Sequence, residues 1–128
     1  MLTPEQIAAR AGKLTASRIA CLMTGDRDAI LRLWNEMIGA EPAENMSRIW
    51  PVQLGATTEQ LNLDWYEMKN TRPITRRGEV VVHPRRDWAA ATLDGWDHEL
   101  ACPIETKHVG GREPLEVVID RYQPQMQW

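Results

Sequence analysis

The apolar period of this chain changes once, and that change sets what it can fold into. Over residues 3 to about 23, and again over 28–38, apolar side chains recur every three or four positions. Ile30, Leu33, Trp34, Met37 and Ile38 form one such stripe, the spacing of a single helix face. Pro4 just inside Thr3 marks a helix start, and Thr24-Gly25-Asp26 punctuates the next boundary. A polar, proline-containing link over 39–48 leads to a third expected helix over 55–68. Leu61, Trp65 and Met68 lie on its apolar side and Glu59 on the other. Beyond Thr71-Arg72-Pro73 the pattern becomes extended: 78–83, 89–94 and 101–109 predict three short strands, joined by 84–87 and 95–98. Links this short favour antiparallel pairing. Gly110-Gly111 closes the third strand, and Pro114 is expected to keep the chain irregular until a last helix capped near Asp120. The expectation is an α+β fold with N-terminal helices, a three-stranded, mainly antiparallel sheet and a C-terminal helix.

Bulk properties narrow the class. The 128 residues, 43% hydrophobic, can bury one core and are too few for two ordinary domains, so a single domain over 1–128 is expected. No apolar run approaches the roughly 18 residues of a membrane span, and the N-terminus lacks the order of a secretory signal. A cytosolic protein without a membrane partner is the expectation. Cys21 and Cys102 have neither paired ligand spacing nor the density of a disulfide scaffold, so buried thiols are expected. A net charge of −3 argues against a polyanionic partner, but Arg72, Arg76, Arg77, Arg85 and Arg86 are clustered. Phosphate binding depends on the local field of a face; the cluster is either such a face or solvated loop charge.

The chemistry concentrates in Asp94-Gly-Trp and, eleven positions later, Glu105-Thr-Lys107. On a strand, residues two apart share a face, and an acid and an ammonium there are costly unless metal or substrate occupies the gap. Two carboxylates and a lysine on paired strands suit Mg²⁺-dependent phosphodiester hydrolysis. Mg²⁺ takes oxygen ligands, usually one or two protein carboxylates, and keeps several waters. Asp94 and Glu105 meet that demand, the backbone carbonyl of Thr106 offers a third oxygen, and Lys107 can orient water or stabilise developing charge. Mn²⁺ is an expected substitute. The alternative is an ordinary salt bridge between Glu105 and Lys107.

Five segments in order sharpen the choice: Arg10-Ala-Gly-Lys-Leu-Thr-Ala-Ser17, Gly55-Ala-Thr-Thr-Glu59, Leu93-Asp94-Gly95, Glu105-Thr-Lys107 and Tyr122-Gln-Pro-Gln125-Met-Gln127. Their order and spacing resemble the phage-type recombination exonucleases, the lambda exonuclease and YqaJ-like viral recombinase family of the PD-(D/E)xK nuclease superfamily. The resemblance covers nearly the whole chain and implies a restriction-endonuclease-like core. It implies that Arg10 and Ser17 hold the 5′ phosphate of a DNA end, that Asp94 and Glu105 are metal ligands, and that Lys107 is the catalytic lysine. Glu59 matches a helical glutamate near the metals and Gln125 a glutamine that completes the site. Without the resemblance, Arg10 and Ser17 are a solvated helix face and Glu59 a surface carboxylate.

The resemblance further implies a 5′ to 3′ exonuclease acting on double-stranded DNA ends in recombination, inside a bacterial host and of phage or prophage origin. A single-strand annealing protein is an implied partner, and a homotrimer an implied assembly. The family continues past the last helix with another strand and further helices, so a chain ending at Trp128 is expected to be a fragment, a shortened relative or dependent on a partner. A catalytically inactive DNA-end-binding module is the alternative, and an α+β interaction protein with structural ion pairs the third reading. Of the six tryptophans, Trp34 and Trp65 are expected in the core, and Trp96, beside Asp94, is the candidate for contact with a DNA strand end. His83, His98 and His108 share no zinc-like spacing and are expected to be structural.

Overall fold

The structure is a computed structural model and describes residues 2–127; Trp128 lies outside the described residues. Thr3 starts the first helix as its sequence predicts. Its hydroxyl accepts from Gln6 N at 3.2 Å while the Gln6 side chain accepts from Thr3 N at 2.7 Å, a reciprocal cap that satisfies two orphan donors. Helix α1 is short, Pro4–Arg10. Gly12 then takes φ +67°, a conformation that interrupts a helix, and Leu14–Thr15 forms strand β1 before helix α2, Ala16–Thr24. The single helix expected up to residue 23 is therefore two, divided by a strand. Pairing with a distant partner outweighs the local period here: Leu14 and Thr15 lie parallel to Ala89 and Ala90, and all four are buried.

Helix α3, Arg27–Met37, is capped by Asp26, whose carboxylate accepts from Asp28 N and Ala29 N at 3.0 and 3.1 Å. A 3₁₀ turn, Met46–Arg48, precedes helix α4, Trp50–Asn70. Helix α4 begins five residues earlier than the sequence predicts because Pro51 sits in its first turn, where no amide hydrogen is needed.

Strands β2 (Ile74–Thr75), β3 (Val80–His83), β4 (Arg86–Thr92), β5 (Gly95–Asp97) and β6 (Cys102–Ile104) follow. They form two three-stranded sheets, ordered β1-β4-β3 and β2-β5-β6, antiparallel except for β1 against β4. The α+β class stands, but the single meander does not. Residues 95–98, expected as a connection, supply β5, while 105–109 leave the sheet. Helix α5, Leu115–Gln127, starts five residues before Asp120. The Pro114 carbonyl accepts from Val118 N at 3.3 Å, so the proline sits where its missing N–H costs nothing.

Leu63 of α4, 1% exposed, packs toward Gly95 and Ile74, while Leu14, Leu33, Ala89, Ala90 and Val118 complete the buried apolar set. Helix α5 packs along α2. The expected stripe of α4 faces outward instead: Trp65 is 59% and Leu61 and Met68 each 64% exposed, because Leu63 on another side of the helix meets the sheet. Trp34 is likewise exposed, and its neighbour Leu33 takes the core position. Cys21 and Cys102 are free and half-buried rather than buried. No helix among the described residues is long and apolar enough to cross a membrane.

Candidate active site

The hinge of the site is the passage from β4 to β5. Leu93 still pairs across the sheet, donating from N to Glu79 O at 2.9 Å and accepting from Gly78 N at 2.8 Å. Asp94 then lies in a bend, and Gly95 opens β5. Position 95 needs glycine: a Cβ there would collide with Ile74 Cγ2 and lie 3.3 Å from Leu63 Cδ2. Close packing beneath the sheet thus fixes the backbone from which Asp94 projects.

Gly95 pairs with Ile104, so the residues leaving β6 run beside Asp94. Thr106 donates twice to Asp94 Oδ2, from its amide at 2.7 Å and its hydroxyl at 3.1 Å. Glu105 Oε1 accepts from Lys107 Nζ in a short ion pair and from Gln125 Nε2 of α5 at 2.7 Å. The Lys107 ammonium also lies 5.2 Å from the ring centroid of Tyr122, three positions before Gln125 on α5. Asp94, Glu105, Thr106, Lys107 and Gln125 therefore come together. They do so off the strand rather than on it, and the Glu105–Lys107 salt bridge of the alternative reading is present. Pro124 lies inside α5, and Gln125 still reaches Glu105.

Electrostatics draws Glu59 into the same cluster. Burial, then the charges of Asp94 and Glu105, push the Glu59 carboxyl above its ordinary value of 4.5. Burial also raises Glu105; the Lys107 hydrogen bond opposes that shift and the Asp94 charge adds to it. Like-charged carboxylates crowded at the edge of a core are what a cation relieves. One oxygen of Asp94 and one of Glu105 are committed within the cluster, while Asp94 Oδ1 and Glu105 Oε2 have no hydrogen bond among the described residues. No group of three His, Cys, Asp or Glu among those residues is poised as a metal cage. The donor set fits Mg²⁺, which takes one or two carboxylates and keeps its waters, better than a fully enclosed ion.

Arg10 and Ser17 meet elsewhere. Arg10 Nη2 donates to Thr15 Oγ1 at 3.1 Å and to Ser17 Oγ at 3.4 Å, and the two hydroxyls lie 3.2 Å apart. Ser17 is in the first turn of α2 and Arg10 ends α1, so the two are brought together across β1 rather than along one helix. Burial, then the charge of Arg18, lowers the Arg10 pKa. No hydrogen bond or ion pair among the described residues joins this cluster to the carboxylates. Thr15, 2% exposed, is a member that the sequence reading missed; its place directly after Leu14 and three residues past Gly12 is its local signal. Tyr122 was missed too, although its spacing from Gln125 puts both on one face.

The arginine cluster is largely neutralised. Arg72 pairs with Glu99 at 3.0 Å, Arg76 with Glu79 at 2.7 Å, and Arg77 with Asp64 and Glu67 at 2.6 and 2.7 Å. Arg76 also lies 5.5 Å from the Trp96 ring centroid, which occupies that face of the indole. The one fully buried acid among the described residues, Asp97, accepts from Tyr66 Oη at 3.1 Å and from Glu99 N and Leu100 N at 2.9 and 3.0 Å, and thereby ties β5 to α4. His98 shares a 2.8 Å hydrogen bond with Thr75, and His83 accepts from Arg85 N at 3.1 Å.

Among solved structures, an alkaline exonuclease from Laribacter hongkongensis, LHK-Exo, matches with a TM-score of 0.76 at 25% identity. A structure of LHK-Exo in complex with dAMP matches with a TM-score of 0.75 at 27% identity. Each match covers 98% of this chain and 66% of the other, so this chain spans about two thirds of their length. No curated protein matches it. The model of the YqaJ-like viral recombinase domain matches residues 6–128, nearly the whole sequence. The chain belongs to the YqaJ-like viral recombinase domain family.

Proposed function

We propose that this chain is the nuclease core of a divalent-metal-dependent exonuclease that acts on duplex DNA ends in phage-type recombination. The observation that carries the reading is the convergence of Asp94, Glu105, Lys107 and Gln125, with Glu59 in electrostatic range. Family membership and the likeness to an alkaline exonuclease support it. The order Asp94, Glu105-Thr106-Lys107 is then a PD-(D/E)xK arrangement. Mg²⁺, with Mn²⁺ as a substitute, would be held by Asp94 Oδ1 and Glu105 Oε2 with the Thr106 carbonyl as a further oxygen. When bound it supplies a Lewis acid that lowers the pKa of water and neutralises phosphate charge.

The chain's own residues do the rest. Gln125 and Lys107 fix one Glu105 oxygen and so aim the other. Thr106 does the same for Asp94. Lys107, held between Glu105 and the Tyr122 ring, presents an ammonium that orients a water for attack and offsets charge growing on the nonbridging oxygens. Glu59 adds negative charge that favours the cation. Arg10 and Ser17, with Thr15, bind the terminal 5′ phosphate, since a guanidinium and hydroxyls suit a dianion. That placement sets 5′ to 3′ polarity. A homotrimer and a single-strand annealing partner, in the cytoplasm of a bacterial host, complete the proposal.

The test is digestion of a linear 5′-phosphorylated duplex in Mg²⁺. We expect products from the wild type, none in EDTA, and a loss of at least about 10³-fold for Glu105→Ala with DNA binding retained. A folded wild type that binds the duplex in Mg²⁺ or Mn²⁺ but yields no products favours the second reading, an inactive end-binding module.

A further inference from the structure

Where Arg72, Arg76 and Arg77 are each paired with a carboxylate, Arg85 and Arg86 are exposed and form no ion pair among the described residues. They stand at the tip of the β3–β4 hairpin, whose two-residue loop is Pro84-Arg85. The tip is built rather than loose: proline fixes one φ, and the His83 ring accepts from Arg85 N at 3.1 Å. The register shifts between Val82 and His83, so the tip bends away from the regular β3–β4 ladder. Beneath it, β4 turns to β1, and Lys13 Nζ donates to Asp87 O at 2.6 Å. The acceptor is the backbone carbonyl of Asp87, so Lys13 adds a third cation, with no ion pair among the described residues, at this end of the sheet. Next along β1 comes Thr15, which accepts from Arg10.

We propose that the Arg85–Arg86 hairpin tip, with Lys13 at its base, is a phosphate-contact site for the backbone of duplex DNA at a distance from the carboxylate cluster. The inference rests on the exonuclease reading above and extends it. Strand β4 fixes the reach: from Arg86 to Asp94 is eight residues, at most about 26 Å at roughly 3.3 Å per residue. Duplex DNA advances about 3.4 Å per base pair, so the tip reaches phosphates no more than about eight base pairs from the carboxylates, and Thr15 of the terminal-phosphate cluster, opposite Ala90, lies between the two. Contacts of this kind position the duplex without reading its sequence. A competing role is edge protection: β3 is the outer strand of its sheet and Val82 is 44% exposed, so charge at the tip discourages strand addition.

The experiment uses a blunt 24-base-pair duplex. Binding is measured by fluorescence anisotropy across salt in the Glu105→Ala background, so that cleavage does not intervene. Arg85→Ala/Arg86→Ala is expected to weaken binding roughly tenfold at moderate salt. It should flatten the slope of log K against log salt by about 1.8, or 0.9 per lost phosphate contact. Arg85→Lys/Arg86→Lys should restore most of the slope. Arg32→Ala, an exposed charge on α3, serves as the control and should stay within about twofold of the parent. Equal binding by parent and double alanine variant overturns the hairpin site alone, and aggregation without weaker binding assigns the charges to edge protection. A parent that does not bind the duplex overturns the exonuclease reading and the hairpin site together.

Discussion

Gly95→Ala probes the link between packing and chemistry. The new methyl would overlap Ile74 Cγ2 and touch Leu63 Cδ2 at 3.3 Å, and both side chains are at least 95% buried and backed by core. Close-packed interiors give way through backbone shifts, so β5 must lift from β2 and α4, at a cost of about 1–3 kcal/mol. Asp94 is the adjoining residue, and Gly95 pairs with Ile104 one residue before Glu105. The same shift therefore misaligns the two carboxylates, and a displacement near 1 Å costs roughly 10²-fold in turnover. Urea unfolding should show a lower midpoint at unchanged slope, and digestion of linear duplex in Mg²⁺ should slow by that factor. Ile74→Ala removes the obstructing methyl and alone costs about 2–5 kcal/mol. In the double variant the added methyl occupies part of the vacated space, so the two effects should fall short of additivity by about 1 kcal/mol or more. A Gly95→Ala protein within about 0.5 kcal/mol of the parent and equally active would refute the reasoning.

Three further outcomes follow from the same geometry. Burial and neighbouring charge hold the Glu59 carboxyl above 4.5, so the folded state binds its proton more tightly than the unfolded chain, and its ionisation lowers stability as pH rises through that window. Glu59→Gln should therefore raise the urea midpoint of the metal-free protein at pH 7 and give no gain at pH 4; a loss at pH 7 contradicts the assigned repulsion. Asp97 has the opposite sign: the Leu100 amide, opposed by burial and aided by Tyr66, holds it below its ordinary value of 3.8, so its contribution is present above that pH and lost as pH falls through the folded value. The stability deficit of Tyr66→Phe should accordingly shrink in urea titrations as pH falls through the folded value, and a deficit unchanged below that value would mean that the Tyr66–Asp97 bond is not charge-assisted. Thr15→Val keeps the shape but removes the acceptor of Arg10, which should cost about 1–2 kcal/mol and reduce the preference for 5′-phosphorylated over 5′-hydroxyl ends. An unchanged end preference would place the phosphate pocket elsewhere.

Local chemistry was legible in the sequence wherever a short segment determines its own conformation. The Thr3 and Asp26 helix starts are of that kind, as are the strands expected over 78–83 and 89–94 and found over 80–83 and 86–92, the second reaching back into the expected link. Strands β1 and β2 were not legible, because two residues carry no period and their pairing is decided by β4 and β5, far along the chain. Periodicity also says which residues share a helix face but not which face meets the sheet. Trp65 and Met68 obey the spacing and still lie outside, while Leu63 is inside. At the site, the interval from Asp94 to Glu105 and Lys107 is short enough for adjacent strands to close, so their meeting could be anticipated. The burial of Asp97 could not, since it depends on Tyr66 and on the turn through Leu100. Thr15 and Tyr122 act through partners that the tertiary fold delivers.

The most direct measurement is anomalous diffraction from crystals soaked in Mn²⁺, for the wild type and for Asp94→Asn. We expect an anomalous peak between Asp94 and Glu105, at about 2.0–2.3 Å from a carboxylate oxygen of each, and its loss in the variant. A soaked crystal with no peak there, or with manganese bound only at a site remote from Lys107, would contradict the assignment of these carboxylates to a metal-dependent nuclease centre.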